Sequence, residues 1–203
     1  MDTCDRIIIS SRAYNAILSE TSDKISTETG GILLGRVIGR IWFIIESIDP
    51  GPNSVFEISH FEYDTEYVNY LAKVLSKQYK EGLAVLGLWH RHPGSLDTFS
   101  HADDITNSEF VRLSGIGAIS ALVNIDPVLR LTIYHVTLPL KYNKLSFEVN
   151  DSLISENLLE YKYFSAKKSS FRFVEVDPIK PKKSKLFTSI KGIFGTKKII
   201  EAL

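Results

Sequence analysis

The chain has 203 residues, with 24 basic side chains balanced by 24 acidic ones. That length suits one well-buried domain plus an appendage. Its single cysteine, Cys4, excludes an intrachain disulfide and a multi-cysteine zinc cage, and no apolar run reaches the roughly 18 residues that cross a bilayer. The first residues, Met1 to Asp5, lack a basic stretch followed by an apolar one, so the expected location is the cytoplasm. Cys4, close to an end expected to be mobile, is read as an ordinary free thiol rather than a nucleophile. The zero net charge hides an asymmetry: residues 167–203 hold ten Lys/Arg against three Asp/Glu, so a tail of +7 follows a body of −7.

In chain order, Arg6 to Ile9 predicts a short strand and Ser11 to Ile25 a helix opened by Ser10 or Ser11, with Tyr14, Ile17 and Leu18 on one face. Gly30-Gly31 reads as a turn into the sheet. Residues 30–35 and 38–48 then predict a hairpin turning within Arg36 to Arg40, and Asp49 to Asn53 a loop. Val55 to Ser59 predicts a strand, and Tyr63 to Tyr79 a helix with Tyr67, Leu71, Val74 and Leu75 at helical spacing. Leu83 to His92 is an apolar strand with polar residues at its end, followed by a Pro-Gly loop and a helix from about His101 to Leu113. Strands are expected at Ala118 to Asn124, Val128 to Thr137 and Leu145 to Val149. This mixed order predicts an α+β, three-layer arrangement: one largely antiparallel or mixed sheet flanked by helices.

Past residue 150 the character changes. Asp151 to Lys162 predicts a helix, Asp177 to Lys185 a basic linker, and Leu186 to Leu203 a basic amphipathic helix weakened by Gly192 and Gly195. The expected division is therefore a domain over 1–150 and an extension over 151–203. The tail is read as a solvated or body-docked segment able to touch an acidic surface, and no nucleic-acid partner is expected.

Chemistry concentrates between His90 and Asp103. His90 and His92 stand two apart at the end of a strand, where side chains alternate, so both imidazoles face one way and Arg91 the other. A Pro-Gly turn then leads to a helix start at Ser100, and Asp103 brings a carboxylate back toward the histidines. Two imidazoles and one carboxylate suit a catalytic zinc with one position left open. Taken alone, His-x-His is also a polar strand edge, and Ser100-x-x-Asp103 is also a helix capping box; capping and metal binding by Asp103 are compatible. Hydrolysis would need a base to move a proton, and Glu28, just before the apolar strand, is the candidate.

Together, Glu28-Thr-Gly-Gly-Ile-Leu-Leu-Gly and His90-x-His92-Pro-x6-Ser100-x2-Asp103 resemble the full signature of the JAB/MPN (JAMM) zinc metallopeptidases. The resemblance covers about residues 5–150. It implies the MPN fold, a cytidine-deaminase-like mixed sheet flanked by helices. It also implies one zinc per chain held by His90, His92 and Asp103, Glu28 as general acid/base, and Ser100 as a hydrogen bonder to the substrate carbonyl or its oxyanion.

Asp104, one residue too far along, and Asp97 and His101, in the loop or first turn, are set aside as solvated or supporting groups. His60 and His135 have no partner legible in the sequence. The compact motif variants resemble the prokaryotic branch, whose members are found beside activating-enzyme-like, conjugating-enzyme-like and ubiquitin-like proteins of antiphage conjugation systems. The expected substrate is thus a bond after the C-terminal tail of a ubiquitin-like protein, in a conjugate or a precursor. Sulfur-carrier processing and a non-catalytic scaffold are the alternatives.

Overall fold

The structure, a computed structural model, describes residues 4–58, 60–94 and 96–162. The linker and the amphipathic helix expected within 177–203 lie outside the described residues.

Strand β1 (Arg6–Ile9) leads into helix α1 (Ser11–Asp23), which Ser10 caps: its Oγ accepts from the Ala13 amide at 3.0 Å and donates to the Ile45 carbonyl at 2.6 Å. Buried Ala13, Ile17 and Thr21 form the inward stripe, one position round from the expected face, with Tyr14 packed at its side. Cys4 is buried rather than at a loose end, and burial pushes its thiol up to about 12, which keeps it inert.

Strands β2 (Thr29–Ile38) and β3 (Ile41–Ile48) form the expected hairpin, with the turn at Gly39-Arg40 and Gly39 at φ +58°. Gly30-Gly31 is not a turn. Both glycines lie inside β2, where a Cβ on Gly30 would stand 2.6 Å from the Trp89 carbonyl oxygen and one on Gly31 2.3 Å from the Trp89 indole nitrogen. Close approach of a neighbouring strand and its indole, rather than chain reversal, is what requires glycine there.

The strand expected over Val55 to Ser59 is shorter and pairs elsewhere. β4 (Val55–Phe56) and β5 (Phe61–Glu62) make a separate two-stranded hairpin, its rings stacked through Phe56 and Phe61 at 5.8 Å. Helix α2 (Thr65–Gln78) follows, capped by Asp64, which accepts from the Tyr67 amide at 3.1 Å. Strand β6 (Ala84–Arg91), helix α3 (His101–Ser114) and strand β7 (Ala118–Asn124) form a crossover unit, with β6 and β7 parallel.

After β8 (Arg130–Thr137), the single strand expected over Leu145 to Val149 is two: β9 (Lys141–Leu145) and β10 (Phe147–Val149). The eight-stranded mixed sheet runs β10-β1-β3-β2-β6-β7-β8-β9. One residue, Ser146, separates strands at opposite edges, so the sheet curls until its edges meet. Trp42 of β3 and His135 of β8 accordingly touch inside the curl, ring centroids 5.1 Å apart, and the core around α1 fills that interior. A second core, with Ile32, Leu34, Ile45 and Ile48, packs α2 on the other face. This is the expected α+β sheet flanked by helices; the degree of curl is what the chain order did not reveal.

The helix expected over Asp151 to Lys162 is only a 3-10 turn (Asp151–Leu153) and the four-residue α4 (Glu156–Leu159). Ile154 and Leu158 insert into the α2 core and Tyr161 bridges to Tyr79, so burial of single apolar residues, rather than a helical stripe, sets this segment's path. The described residues, within 4–162, all belong to one compact unit. Among the described residues no helix is long and apolar enough to cross a membrane.

The parallel pairing of β6 and β7 rests on Gly87, at φ +151°, where a Cβ would stand 1.8 Å from the Ile119 carbonyl oxygen. Gly87→Ala is expected to destabilise the fold by about 3 kcal/mol or more, against about 1 kcal/mol for Gly39→Ala, which has the same sign of φ but open space. Urea unfolding of the two variants measures the difference.

Candidate metal centre

β6 ends where β2 begins. Gly30 pairs with His90 and Thr29 with Arg91 in antiparallel register, so continuing the ladder by one residue sets Glu28 opposite His92. Alternation then puts Glu28, Gly30, His90 and His92 on one face. The missing side chain at Gly30 makes room there, since a Cβ would stand 3.2 Å from that of His90. The third group arrives from α3. Ser100 is its N-cap and Asp103 its N3 residue, in a full capping box: the Ser100 amide donates to Asp103 Oδ2 at 2.6 Å, and the Asp103 amide donates to Ser100 Oγ at 3.2 Å. The capping box aims the carboxylate instead of competing with the site.

The three side chains meet. His90 Nε2 and His92 Nε2 are 3.0 Å apart, and each lies 3.4 Å from one oxygen of Asp103. Tetrahedral zinc with ligands at about 2.0–2.2 Å spaces them by roughly 3.3–3.5 Å; the two His–Asp separations, to different oxygens of Asp103, match that spacing and the His–His one is shorter. Two ring nitrogens facing each other at 3.0 Å can share one hydrogen, with the roles set by the tautomers, or turn both lone pairs to a common cation. His90, His92 and Asp103 are thus close enough to bind a metal, and all three ligand atoms fall within 4.8 Å of one another. Both histidines are buried, Asp103 half-buried.

The charges are arranged to match. Burial by itself would push the Asp103 carboxyl up, but the two imidazoles and the Ser100 amide hold it far below the usual carboxylate range. The Asp103 hydrogen bond raises His92 against the opposing effect of burial; its Nδ1 has only the Leu96 carbonyl nearby and no well-formed hydrogen bond. Glu28 is pushed up by burial, and the imidazoles of His92 and His90 pull it part of the way back.

Glu28, Ser100 and the three metal-binding candidates line one cavity of about 420 Å³, whose apolar walls include Phe61, Tyr63, Leu96 and Phe99. The structure therefore brings all five sequence-selected residues together. It adds His60, on the β4–β5 hairpin, which lines the same cavity and pairs with Glu62 at 2.9 Å. Nothing in the sequence marked His60, because the hairpin reaches the site only through tertiary contact.

Two of the residues set aside in the sequence are anchors. Asp97 accepts from Asn124 and from Arg130, at 3.2 Å to each oxygen in the latter case, and ties the loop between the ligands to the end of β7. Asp104 accepts from the Tyr142 hydroxyl at 2.6 Å, while the Tyr142 ring stacks on Phe99 at 4.4 Å. His135 sits inside the curl against Trp42, and burial holds it below its ordinary range.

A family model described as prokaryotic homologues of the JAB domain matches residues 10–131, which include all five residues. The solution structure of protein DSY2949 from Desulfitobacterium hafniense is similar at 16% identity, covering 71% of this chain and 94% of that one with a TM-score of 0.53, a likeness of fold. No curated protein matches the chain.

The protein as purified is expected to hold one zinc per chain by elemental analysis, and Asp103→Ala to lose it. Protons compete with the metal for His92, whose proton affinity lies above the ordinary value of 6.5. Zinc affinity, read by chelator competition, should therefore fall as pH drops from a point above 6.5, by about tenfold per pH unit for each proton taken up.

Proposed function

Because the chain belongs to the prokaryotic JAB-domain family, we propose that it is a zinc-dependent peptidase cutting the bond after the C-terminal tail of a ubiquitin-like protein. The observation that carries this reading is the meeting of His90, His92 and Asp103 in one cavity with a carboxylate, that of Glu28, the residue just before the strand paired with theirs. A scaffold has no use for a base held beside a buried metal-binding triangle.

His90, His92 and Asp103 would hold the zinc, which when bound supplies Lewis acidity to a carbonyl and to water. Glu28, on this reading, takes one proton from the attacking water as its oxygen bonds to the scissile carbon. It hands that proton to the leaving nitrogen as the carbon–nitrogen bond breaks. Burial suits it to both steps, because a carboxyl raised above its ordinary value gives up and takes up a proton nearer neutral pH. Ser100 Oγ accepts from the Asp103 amide, and its own hydrogen is left to donate to the carbonyl oxygen as charge develops there.

The proposed substrate class is drawn from the resemblance of the motifs, and the cavity lining is compatible with it. The β4–β5 hairpin supplies His60 and Phe61 to the cavity lining, and the chain between the histidines and α3 supplies Leu96 and Phe99. Aromatic walls close to a metal-binding triangle leave room for a slender main chain, as a tail ending in glycines presents. The compact form of the motifs supports a place in a bacterial ubiquitin-like antiphage system, with activating-enzyme-like and conjugating-enzyme-like partners.

Cleavage is to be measured on a panel of ubiquitin-like proteins with C-terminal Gly-Gly joined to a reporter. Wild type should cleave at least one; Glu28→Gln should keep its zinc and lose about 100- to 10,000-fold in kcat. A Glu28→Gln variant as fast as wild type defeats the mechanism, and a zinc-loaded wild type that cleaves no member of the panel favours the scaffold.

A further inference from the structure

Strand β6 carries a long charged side chain for which proton transfer and metal binding have no use. Arg91 stands between His90 and His92, and alternation sends it to the opposite face of the sheet, where it is 1% exposed. Its hydrogen bonds go to carbonyls and not to carboxylates. Nη1 donates to the carbonyls of Lys24 and Thr27, each at 2.7 Å, and Nη2 to that of Ile25, while Nε finds no partner.

Burying a guanidinium away from water costs free energy that an apolar side chain at the same position would not, and burial draws its proton affinity down. Part of that cost is offset by location. The carbonyls it meets lie just past the last turn of α1, at the negative end of the helix dipole. What the arrangement accomplishes is visible in the chain it grips. Three carbonyls within four residues are gathered onto one rigid fork, and the next residue is Glu28, whose amide donates to the Glu57 carbonyl at 2.8 Å. Thr29, paired with Arg91 across the ladder, donates its hydroxyl to Glu20 of α1 at 2.6 Å. The segment bearing the carboxylate is thus held from both sides.

We propose that Arg91 is a positioning residue for Glu28. By gathering the Lys24, Ile25 and Thr27 carbonyls it fixes where the Glu28 carboxylate enters the cavity, and it does so from the same strand that aims His90 and His92. The distance between base and metal-binding group is thereby set by alternate side chains of one strand. The proposal rests on the peptidase reading for the task of Glu28, and on geometry alone for its placement.

Arg91→Met keeps the unbranched apolar stem of the side chain and removes the fork. In full-length zinc-loaded protein, hydrogen exchange of the Glu28 amide should speed up by about tenfold or more while core amides of β6 and β7 keep their rates, the sign of a local rather than global opening. Zinc content should stay at one per chain, and kcat should fall by about 100-fold with KM unchanged, as for a catalytic group displaced by about 1 Å. Arg91→Met added to Glu28→Gln should cost nothing further, since both act on one group.

Arg91→Lys, which keeps charge and stem but lacks the fork, should fall between wild type and Arg91→Met, and it serves if the methionine variant does not fold. Unchanged exchange at Glu28, zinc lost in step with activity, or full additivity with Glu28→Gln would each overturn the proposal. A wild type that binds zinc and cleaves nothing defeats the peptidase reading instead, and the exchange measurement then still decides whether Arg91 holds the segment.

Discussion

Strand β6 is paired on both sides, antiparallel to β2 and parallel to β7, and the rest of the site depends on those two ladders staying in register. The β2 ladder brings Glu28 level with His92; the β7 ladder fixes the start and end of the crossover that returns Asp103 through α3. A slip of one residue on either side would turn the imidazoles into the α1 core and the guanidinium into the cavity. The glycines of β2 and β6 protect this register. Gly30, Gly31 and Gly87 each stand where a Cβ would meet a neighbouring main-chain or indole atom at under 3 Å.

The electrostatics of the centre follow from burial with few counter-charges. Two imidazoles and a carboxylate share a pocket partly removed from water, and each tunes the others: Asp103 is held ionised by the histidines, His92 is made more basic by Asp103, and Glu28 sits at the edge where burial outweighs their pull. Asp103 satisfies two demands at once. One of its oxygens completes the helix cap while both face the histidines, so the start of α3 and the His90–His92–Asp103 cluster are a single structure. Loosening the cap would loosen the site.

Around this centre the family's frame is filled in with groups particular to this chain. Asp97, inside the motif, and Asp104, just after it, are engaged by Arg130 and Tyr142, which leaves Asp103 as the aspartate that faces the two histidines. The Phe99, Tyr134 and Tyr142 rings pack behind His90. The hairpin β4–β5 forms the remaining wall.

Local pattern was enough for much of this. Strand alternation at His90 and His92, the capping signature at Ser100 and Asp103, and the apolar runs of β1, β6 and β7 are properties of residues close in the chain, so they were legible before any contact was known. Other features are contacts between distant segments and leave no local trace. Gly30-Gly31 looks like a turn until Trp89 is seen against it; Leu145 to Val149 looks like one strand until the curled sheet sends its halves to opposite edges. Likewise Arg91 is an ordinary polar residue in the sequence. Only the fold, by setting the end of α1 beneath β6, gives its five donors three carbonyls to hold. The sequence by itself determined which atoms are available for chemistry, because residue type and spacing along a regular element decide that. Tertiary structure alone decided how they are supported, because support comes from groups far along the chain that only packing brings within hydrogen-bond reach.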